Sequence, residues 1–449
     1  MSEPYQLTFA EAVTLIEGRH LSPVELTQSL LLRIDRLQPV LKAWAYVDSA
    51  GALAEARRLE RTESRKELQG VAFAAKDIFY TKGIPTEAGA KTWRGFVPDE
   101  DAAPVARLRR SGAVLLGKTV TTAFAAGDPV STVNPWNARR TPGGSSTGSA
   151  VAVAARMVPA ALGSQTVGSV LRPAAYNGVV GFKPTFGRIS RHGVVPQATS
   201  LDHVGVLCRS VEDAALLLSV LAGYDPADAA SADAPAGDYL SAVRHTSAAP
   251  RIGLLRGWFT DEADPETRAH MEAVCRRLSS AGAMVDDAVT GIDFPGALAA
   301  HQTIQQAETA EAHRMWFPGH EKDYAPLIRR MIERGMARSV EDYQQALAVQ
   351  RAMGEGLDRA LEDFDVLLTP TVAAPAPSEL STTGDLRFQS LWTLSGMPAI
   401  SIPTGLSKEG LPLAVQMGAG RFEEPRLLAA ARWCEQVLDA RLPIPPLAL

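Results

Sequence analysis

Disulfide chemistry has little to work with in this sequence. Its 449 residues include three cysteines, Cys208, Cys275 and Cys434. Their spacing fits neither a disulfide framework nor a metal site, so a reducing compartment and no bound metal are expected. An excess of one charge is also missing: 45 lysines and arginines stand against 50 aspartates and glutamates, a formal net charge of −5. That leaves no basic footprint for nucleic acid. No stretch approaches the roughly 18 uninterrupted apolar residues of a membrane span. The opening Met-Ser-Glu-Pro-Tyr-Gln has no basic region ahead of an apolar one, so no secretory leader and a cytoplasmic location are expected. No internal repeat stands out. What is present is globular material, 46% hydrophobic and 21% charged, which allows a large core.

The chain opens with helices. Thr8-Phe-Ala-Glu11 and Ser22-Pro-Val-Glu25 both fit the capping box, in which a hydroxyl and a carboxylate satisfy orphan amides reciprocally. Leu26, Leu30, Ile34 and Leu37 then recur at helical spacing, and a third helix is expected over Ala50–Glu60. Gly70-Val-Ala-Phe-Ala-Ala-Lys76-Asp77 reads as a buried strand with Lys76 at its exit. A lysine there ordinarily snorkels to solvent. Residues 104–118 read as a helix and then a strand over Ala113–Leu116. Here Gly112-Ala-Val-Leu-Leu-Gly-Lys118-Thr119 satisfies the phosphate-loop expression letter for letter. Its four variable residues want burial in a strand, whereas a phosphate loop needs them open with amides exposed, so nucleotide binding is not expected.

Two hydroxyl-rich loops follow, with little bulk in either. Gly143-Gly-Ser-Ser146 leads into Ser149–Arg156, almost all alanine and valine, which fits a short helix buried on every side. A short strand over Ala160–Gly163 precedes the second loop, Ser164–Ser169. Pro173 and Gly178 then bracket a helix of one or two turns whose partly positive N-terminus lies beside Ser169. Val211–Leu221 reads as a helix, and residues 224–238 as an exposed low-complexity connector. A strand over Arg251–Leu255, a helix over Pro265–Ala281 and long helices to about Leu361 come next. Strands at Phe364–Thr371 and Met397–Pro403 and a closing helix at Glu424–Leu438 finish the chain. Alternating strands and helices argue an α/β fold.

A serine nucleophile in these loops needs a base. Eight histidines are available (His20, His192, His203, His245, His270, His301, His313, His320), but no Gly-x-Ser-x-Gly elbow accompanies them. A lysine whose charge is suppressed by burial is the other choice, and Lys76 is placed for it.

The combination of Val71-Ala-Phe-Ala-Ala-Lys76-Asp77, Gly143-Gly-Ser-Ser-Thr-Gly-Ser149 and Gly163-Ser-Gln-Thr-Val-Gly-Ser169 resembles the amidase signature family. So do Gly178-Val-Val-Gly-Phe-Lys-Pro-Thr185, Ser200-Leu-Asp202, Leu-Leu-Thr-Pro370 and Ser395-Gly-Met-Pro398 through Pro403. The match runs in register over most of the chain. It implies a large, mixed, twisted β-sheet covered by helices on both faces. It also implies one domain over 1–449, with a signature core about 65–215, a connector about 224–250 and a helical substrate-side region about 285–361. By the same resemblance Lys76 is the base, Ser145 the bridging serine on a cis peptide, and Ser169, 24 residues further on, the nucleophile. The backbone amides of Thr166, Val167, Gly168 and Ser169 form the oxyanion hole. The implied enzyme hydrolyses the C–N bond of a small amide without metal or organic cofactor, and a homodimer is an allowed assembly.

The sequence departs from the family pattern at four places. Gln165 stands where aspartate is usual, Arg172 comes one residue late, and Thr147 and Val167 replace glycines. If position 167 requires a positive φ, Val167 is strained. Two other readings remain. One is the glutamine-hydrolysing A subunit of an aminoacyl-tRNA amidotransferase, whose segment after Gly-Lys-Thr is usually longer than here. The other is a non-catalytic binding module on the same fold. The resemblance also assigns Phe124 to the acyl pocket, with core packing as its alternative. Trp316, Phe317 and Tyr324 border the entrance or, as most aromatics do, pack in the core. Aliphatic amides, aryl amides, carbamates and urea-like compounds all stay open as substrates.

Overall fold

Runs of small and β-branched residues make up most of the sheet. The computed structural model describes residues 3–62, 66–439 and 441–449; the opening Met1-Ser2 and Arg65, the expected start of the signature core, lie outside the described residues. Among the described residues there are eleven strands and fifteen α-helices. The strands are β1 (Trp44–Val47), β2 (Ala72–Lys76), β3 (Val114–Thr119), β4 (Ala161–Gln165), β5 (Val180–Lys183) and β6 (His203–Cys208), followed by β7 (Arg251–Leu254), β8 (Met284–Asp287), β9 (Val366–Pro370), β10 (Ala399–Leu406) and β11 (Pro412–Gly418). They form one sheet in the order β1-β3-β2-β4-β6-β5-β10-β11-β9-β7-β8. β2 runs parallel between β3 and β4, and β7 runs parallel between β9 and β8. The strands between these two groups pair antiparallel.

Every residue of β2, β3, β4, β5, β6, β9 and β11 is buried. Successive side chains of a strand face opposite sides, so both faces of this sheet are covered. The expected mixed α/β fold is the one observed. Both N-terminal capping boxes form, Thr8 with Glu11 and Ser22 with Glu25, and Pro23 opens its helix. The alanine–valine segment is the helix Thr147–Ala154, buried at all eight positions. Gly148 is needed there: a Cβ on it would stand 2.2 Å from the Ala43 carbonyl oxygen and 2.4 Å from the Val120 nitrogen.

The central residues of the phosphate-loop match serve the sheet and its packing. Val114, Leu115 and Leu116 lie in β3, with Ala113 buried just before it, and a Cβ on Gly117 would fall 2.2 Å from the Tyr46 oxygen of neighbouring β1. Lys118 is buried, donates to the Phe79 carbonyl and the Thr86 hydroxyl at 2.7 Å each, and pairs with Asp77 at 3.2 Å.

Some expectations change. The edge strands β1 and β8 and the helix Arg387–Leu394 carry no strong sequence pattern. The helical region expected from about 285 begins inside β8, and its helices are Phe294–Ala312, Pro326–Met336 and Val340–Ala360. The connector is tied to the body: Asp225 accepts from the Ser190 hydroxyl at 2.6 Å, and Asp228 pairs with Arg191 at 3.2 Å. Arg188 donates to the carbonyls of Ala234 and Pro235, and a short helix forms over Tyr239–Arg244. No helix among the described residues is long and apolar enough to cross a membrane.

Candidate active site

Lys76 is the last residue of β2, an interior strand, so its side chain has no route to solvent and is 0% exposed. Its Nζ lies 2.7 Å from Ser145 Oγ and 2.8 Å from Ser164 Oγ. Burial drives the amine's pKa well below its ordinary value, against an opposing pull from Asp202. Asp202 is itself raised by burial; it accepts from the Thr166 hydroxyl at 2.6 Å and from the amides of Gln197 and Ala198.

Ser145 is fully buried and follows a cis peptide, Gly144–Ser145. The Gly144 carbonyl accepts from Arg172 at 2.7 Å, and the same guanidinium donates to the Gly384 carbonyl at 2.8 Å and the Thr383 hydroxyl at 3.1 Å. The displaced arginine therefore braces the peptide that carries Ser145. Ser146 joins the two hydroxyl-rich loops. Its N–H donates to the Ser169 carbonyl at 3.3 Å, and its hydroxyl exchanges hydrogen bonds with the Ser164 backbone at 3.2 Å. Lys76 and Ser145 thus meet directly, and Ser169 is brought alongside through the backbone of the residue after Ser145.

The second loop is held by its carbonyls. Thr166 C=O accepts from His301 Nε2 at 2.9 Å, Val167 C=O from the Thr393 hydroxyl at 2.7 Å, and Gly168 C=O from the Arg172 N–H at 2.9 Å. A trans peptide points its N–H opposite to its C=O, so these three contacts turn the N–H groups of Val167, Gly168 and Ser169 the other way. Among the described residues no protein acceptor takes the N–H of Thr166, Val167, Gly168 or Ser169. The next two amides are claimed: Gln165 Oε1 accepts from Val170 at 2.9 Å and Leu171 at 3.0 Å, while its Nε2 donates to Thr393 Oγ1 at 3.0 Å. Gln165 thereby secures the start of the helix Leu171–Asn177, a task that requires an acceptor and a donor but no charge. The φ of Val167 is not positive, so the condition under which it would be strained is not met. The glycine with a steric duty is Gly168, where a Cβ would lie 2.4 Å from Gln389 Oε1.

Three of these participants carry no sequence signal strong enough to single out: Ser164 on the amine, and Thr393 and His301 on the loop carbonyls. His301 is one of eight histidines, with no local pattern. Burial holds it neutral, its pKa lowered to about 4, and its carbonyl partner requires the proton on Nε2.

Two cavities flank the loop. One of 260 Å³ is lined by Ser169, Val167 and Arg172, and one of 190 Å³ by Ser164, Thr166 and Asp202; Ala125 and Gln197 line both. Phe124 is 2% exposed and packs in an aromatic cluster, stacked on Tyr324 at 5.4 Å with edge contacts to His313 at 4.7 Å and Trp93 at 6.0 Å. The neighbouring Ala125, rather than Phe124, lines both cavities. Phe317 and Tyr324 are buried in the same cluster, while Trp316 is 42% exposed. No group of three or more metal-ligating side chains stands together among the described residues.

Residues 25–428 match the family described as Amidase. The chain is 35% identical to the A component of glutamyl-tRNA(Gln) amidotransferase from Methylococcus capsulatus, over 97% of this chain and 98% of the relative. The structure of 6-aminohexanoate cyclic dimer hydrolase complexed with substrate is similar with a TM-score of 0.90 and 28% identity, covering 100% of both chains. Native peptide amidase from Stenotrophomonas maltophilia gives a TM-score of 0.87 and 30% identity, over 99% of each chain.

Proposed function

Because the chain belongs to the Amidase family and is an amidase-signature hydrolase, we propose that it acts alone on a small-molecule amide. It cleaves the C–N bond to a carboxylate and ammonia or an amine, through an acyl-enzyme on Ser169. Neutral Lys76 has one lone pair and two N–H groups. Ser164 takes one N–H, which leaves the lone pair for the hydroxyl proton of Ser145. Ser145 in turn draws the proton of Ser169 as Ser169 Oγ bonds to the amide carbon. The negative charge that builds on the amide oxygen is met by the unclaimed amides of residues 166–169. Losing one such donor typically costs about 3 kcal/mol of barrier. The proton returns through Ser145 to the departing nitrogen as the C–N bond breaks. Water then repeats the sequence on the ester and frees Ser169.

The observation that carries this reading is the buried Lys76 amine 2.7 Å from Ser145 Oγ. A lysine kept only for charge would be paired with a carboxylate, and the polar contacts of this amine are two hydroxyls. Fluorophosphonate labelling together with ammonia release from an amide panel tests it. Labelling at Ser169 and loss of turnover in Ser169→Ala are expected. An unlabelled Ser169 in folded protein, with turnover intact in Ser169→Ala, ends the proposal.

The amidotransferase reading draws on the 35% identity to a protein of that name. That alignment spans 481 positions, more than the 449 residues here, so the relative carries segments this chain lacks. Ammonia release by the isolated chain supports the stand-alone enzyme. Glutamine hydrolysis that begins only when partner subunits are added supports the amidotransferase component.

A further inference from the structure

Gln197 carries a buried carboxamide with no partner for either polar atom. The residue is 2% exposed, and neither Oε1 nor Nε2 makes a hydrogen bond. Among the described residues it is the one side chain with two such buried atoms. The loop around it is not slack. Asp202 accepts from the amides of Gln197 at 2.8 Å and Ala198 at 3.0 Å, and Glu308 accepts from the Ser200 amide at 2.8 Å and hydroxyl at 2.6 Å. Other buried glutamines near the site are employed. Gln165 serves two amides and Thr393, and Gln416 donates to the Thr369 hydroxyl and the Phe388 carbonyl. A donor and an acceptor left unpaired in the interior cost stability, and methionine would fill similar space without that cost. Gln197 borders both cavities, the one that holds Ser169 and the one that holds Ser164 and Thr166. The partners that the protein withholds from this carboxamide can come from a molecule in those cavities.

We propose that Gln197 is a specificity-determining residue that pairs with a second amide or urea group of the substrate. The preferred substrates are then small molecules carrying two such groups, one cleaved at Ser169 and one held at Gln197. This rests on the hydrolase reading of the same cavity. The chemistry of the partner follows from what Gln197 lacks. Nε2 needs an acceptor, and Oε1 needs an N–H. The carbonyl oxygen under attack is already assigned to the amides of residues 166–169, so the acceptor is a different oxygen. A carboxamide or urea offers C=O and N–H side by side and closes two parallel hydrogen bonds with a glutamine. An ester, ketone or carboxylate offers oxygen alone and leaves Oε1 unpaired, and an alkyl chain leaves both atoms unpaired. Sites built to hydrogen-bond a substrate group reject the analogue that lacks it, because their own buried polar groups are then stranded.

Malonamide, succinamide and glutaramide provide the test, each paired with the methyl ketone in which one amide NH2 is replaced by CH3. The two members of a pair share the scissile amide and a carbonyl, and differ in the N–H offered to Oε1. Binding is measured by calorimetry on Ser169→Ala, and ammonia release on the unaltered chain. At least one diamide is expected to exceed its ketone about tenfold or more in affinity and in kcat/KM, with rates halved for the two equivalent amides. The preference is expected to vanish when Gln197→Met is introduced, and circular dichroism checks that this variant folds. The comparison on the unaltered chain needs no variant to decide it. If no diamide exceeds its ketone, or the preference survives in Gln197→Met, the proposal is overturned. The two readings separate cleanly. Gln197-dependent binding of a diamide without ammonia release keeps the amide site and removes the hydrolase, whereas equal hydrolysis of diamides and ketones keeps the hydrolase and removes the amide site.

Discussion

Replacing His301 by phenylalanine keeps a ring of similar size on the helix Phe294–Ala312 and removes one N–H. That N–H holds the Thr166 carbonyl at 2.9 Å, with the His301 side chain only 1% exposed. An unpaired buried carbonyl costs about 1–3 kcal/mol, so His301→Phe is expected to lose that much stability in urea or guanidinium unfolding. The kinetic consequence follows from peptide geometry. Once the Thr166 carbonyl is free to swing toward another partner, the Val167 N–H swings with it and is lost to the oxyanion. A whole donor is worth about 10²–10³ in kcat, and partial reorientation sets the expected loss between roughly tenfold and that limit. Because the donor acts on charge that develops during reaction, kcat and kcat/KM fall together and KM stays near its original value. The ring is neutral at any pH well above about 4, so the defect is the same at neutral and alkaline pH. Initial rates of ammonia release over a substrate range measure it. A variant that loses stability but keeps kcat within twofold would refute the idea that His301 aims the Val167 amide.

Other substitutions probe neighbouring steps. Ser164→Ala removes one of the two hydroxyls on the Lys76 amine; the lost hydrogen bond, about 1 kcal/mol, predicts a roughly fivefold fall in kcat/KM. Unchanged kinetics would mean that Ser164 does not orient the amine. Gly148→Ala places a Cβ 2.2 Å from the Ala43 carbonyl oxygen and 2.4 Å from the Val120 nitrogen, both backbone atoms with little freedom to yield. An overpacking cost of at least about 1–3 kcal/mol is expected in chemical denaturation, and a neutral result would contradict the close approach.

What the chain alone reveals is uneven, for physical reasons. β2, β9 and the helix Thr147–Ala154 were legible because they are buried on all sides and so are written as uninterrupted small or apolar runs. β1 and β8 sit at the sheet edges, where exposed positions admit Tyr46, Asp286 and Asp287 and the pattern dissolves. Lys76, Ser145 and Ser169 stood out through the motifs around them. The groups that position their loops did not. His301 lies 135 residues from Thr166, and Thr393 lies 226 from Val167. Each makes its contact through a fold whose long-range pairings leave no local periodicity. Arg172 was visible as an oddity, and its bond to the Gly144 carbonyl accounts for its place. The phosphate-loop match misleads because it encodes Gly117 and Lys118, both of which serve internal packing.

The charge state of the Lys76 amine tests the account most directly. Lysine carrying isotopic label at Cε and Nζ can be titrated by heteronuclear NMR, with the Lys76 signal assigned by its disappearance in Lys76→Met. That assignment is essential, because burial also lowers Lys118, to about 8, and Lys183. Burial favours the neutral amine, so the Lys76 pKa lies below its ordinary value. The base works in its neutral form, so kcat/KM must rise with pH along the same curve as the Lys76 signal and then level off. The account predicts a neutral Lys76 at pH values where the enzyme is fully active, coincident NMR and kinetic midpoints, and no turnover in Lys76→Met. A Lys76 that stays protonated while turnover is maximal, or a Lys76→Met variant with full activity, would contradict it.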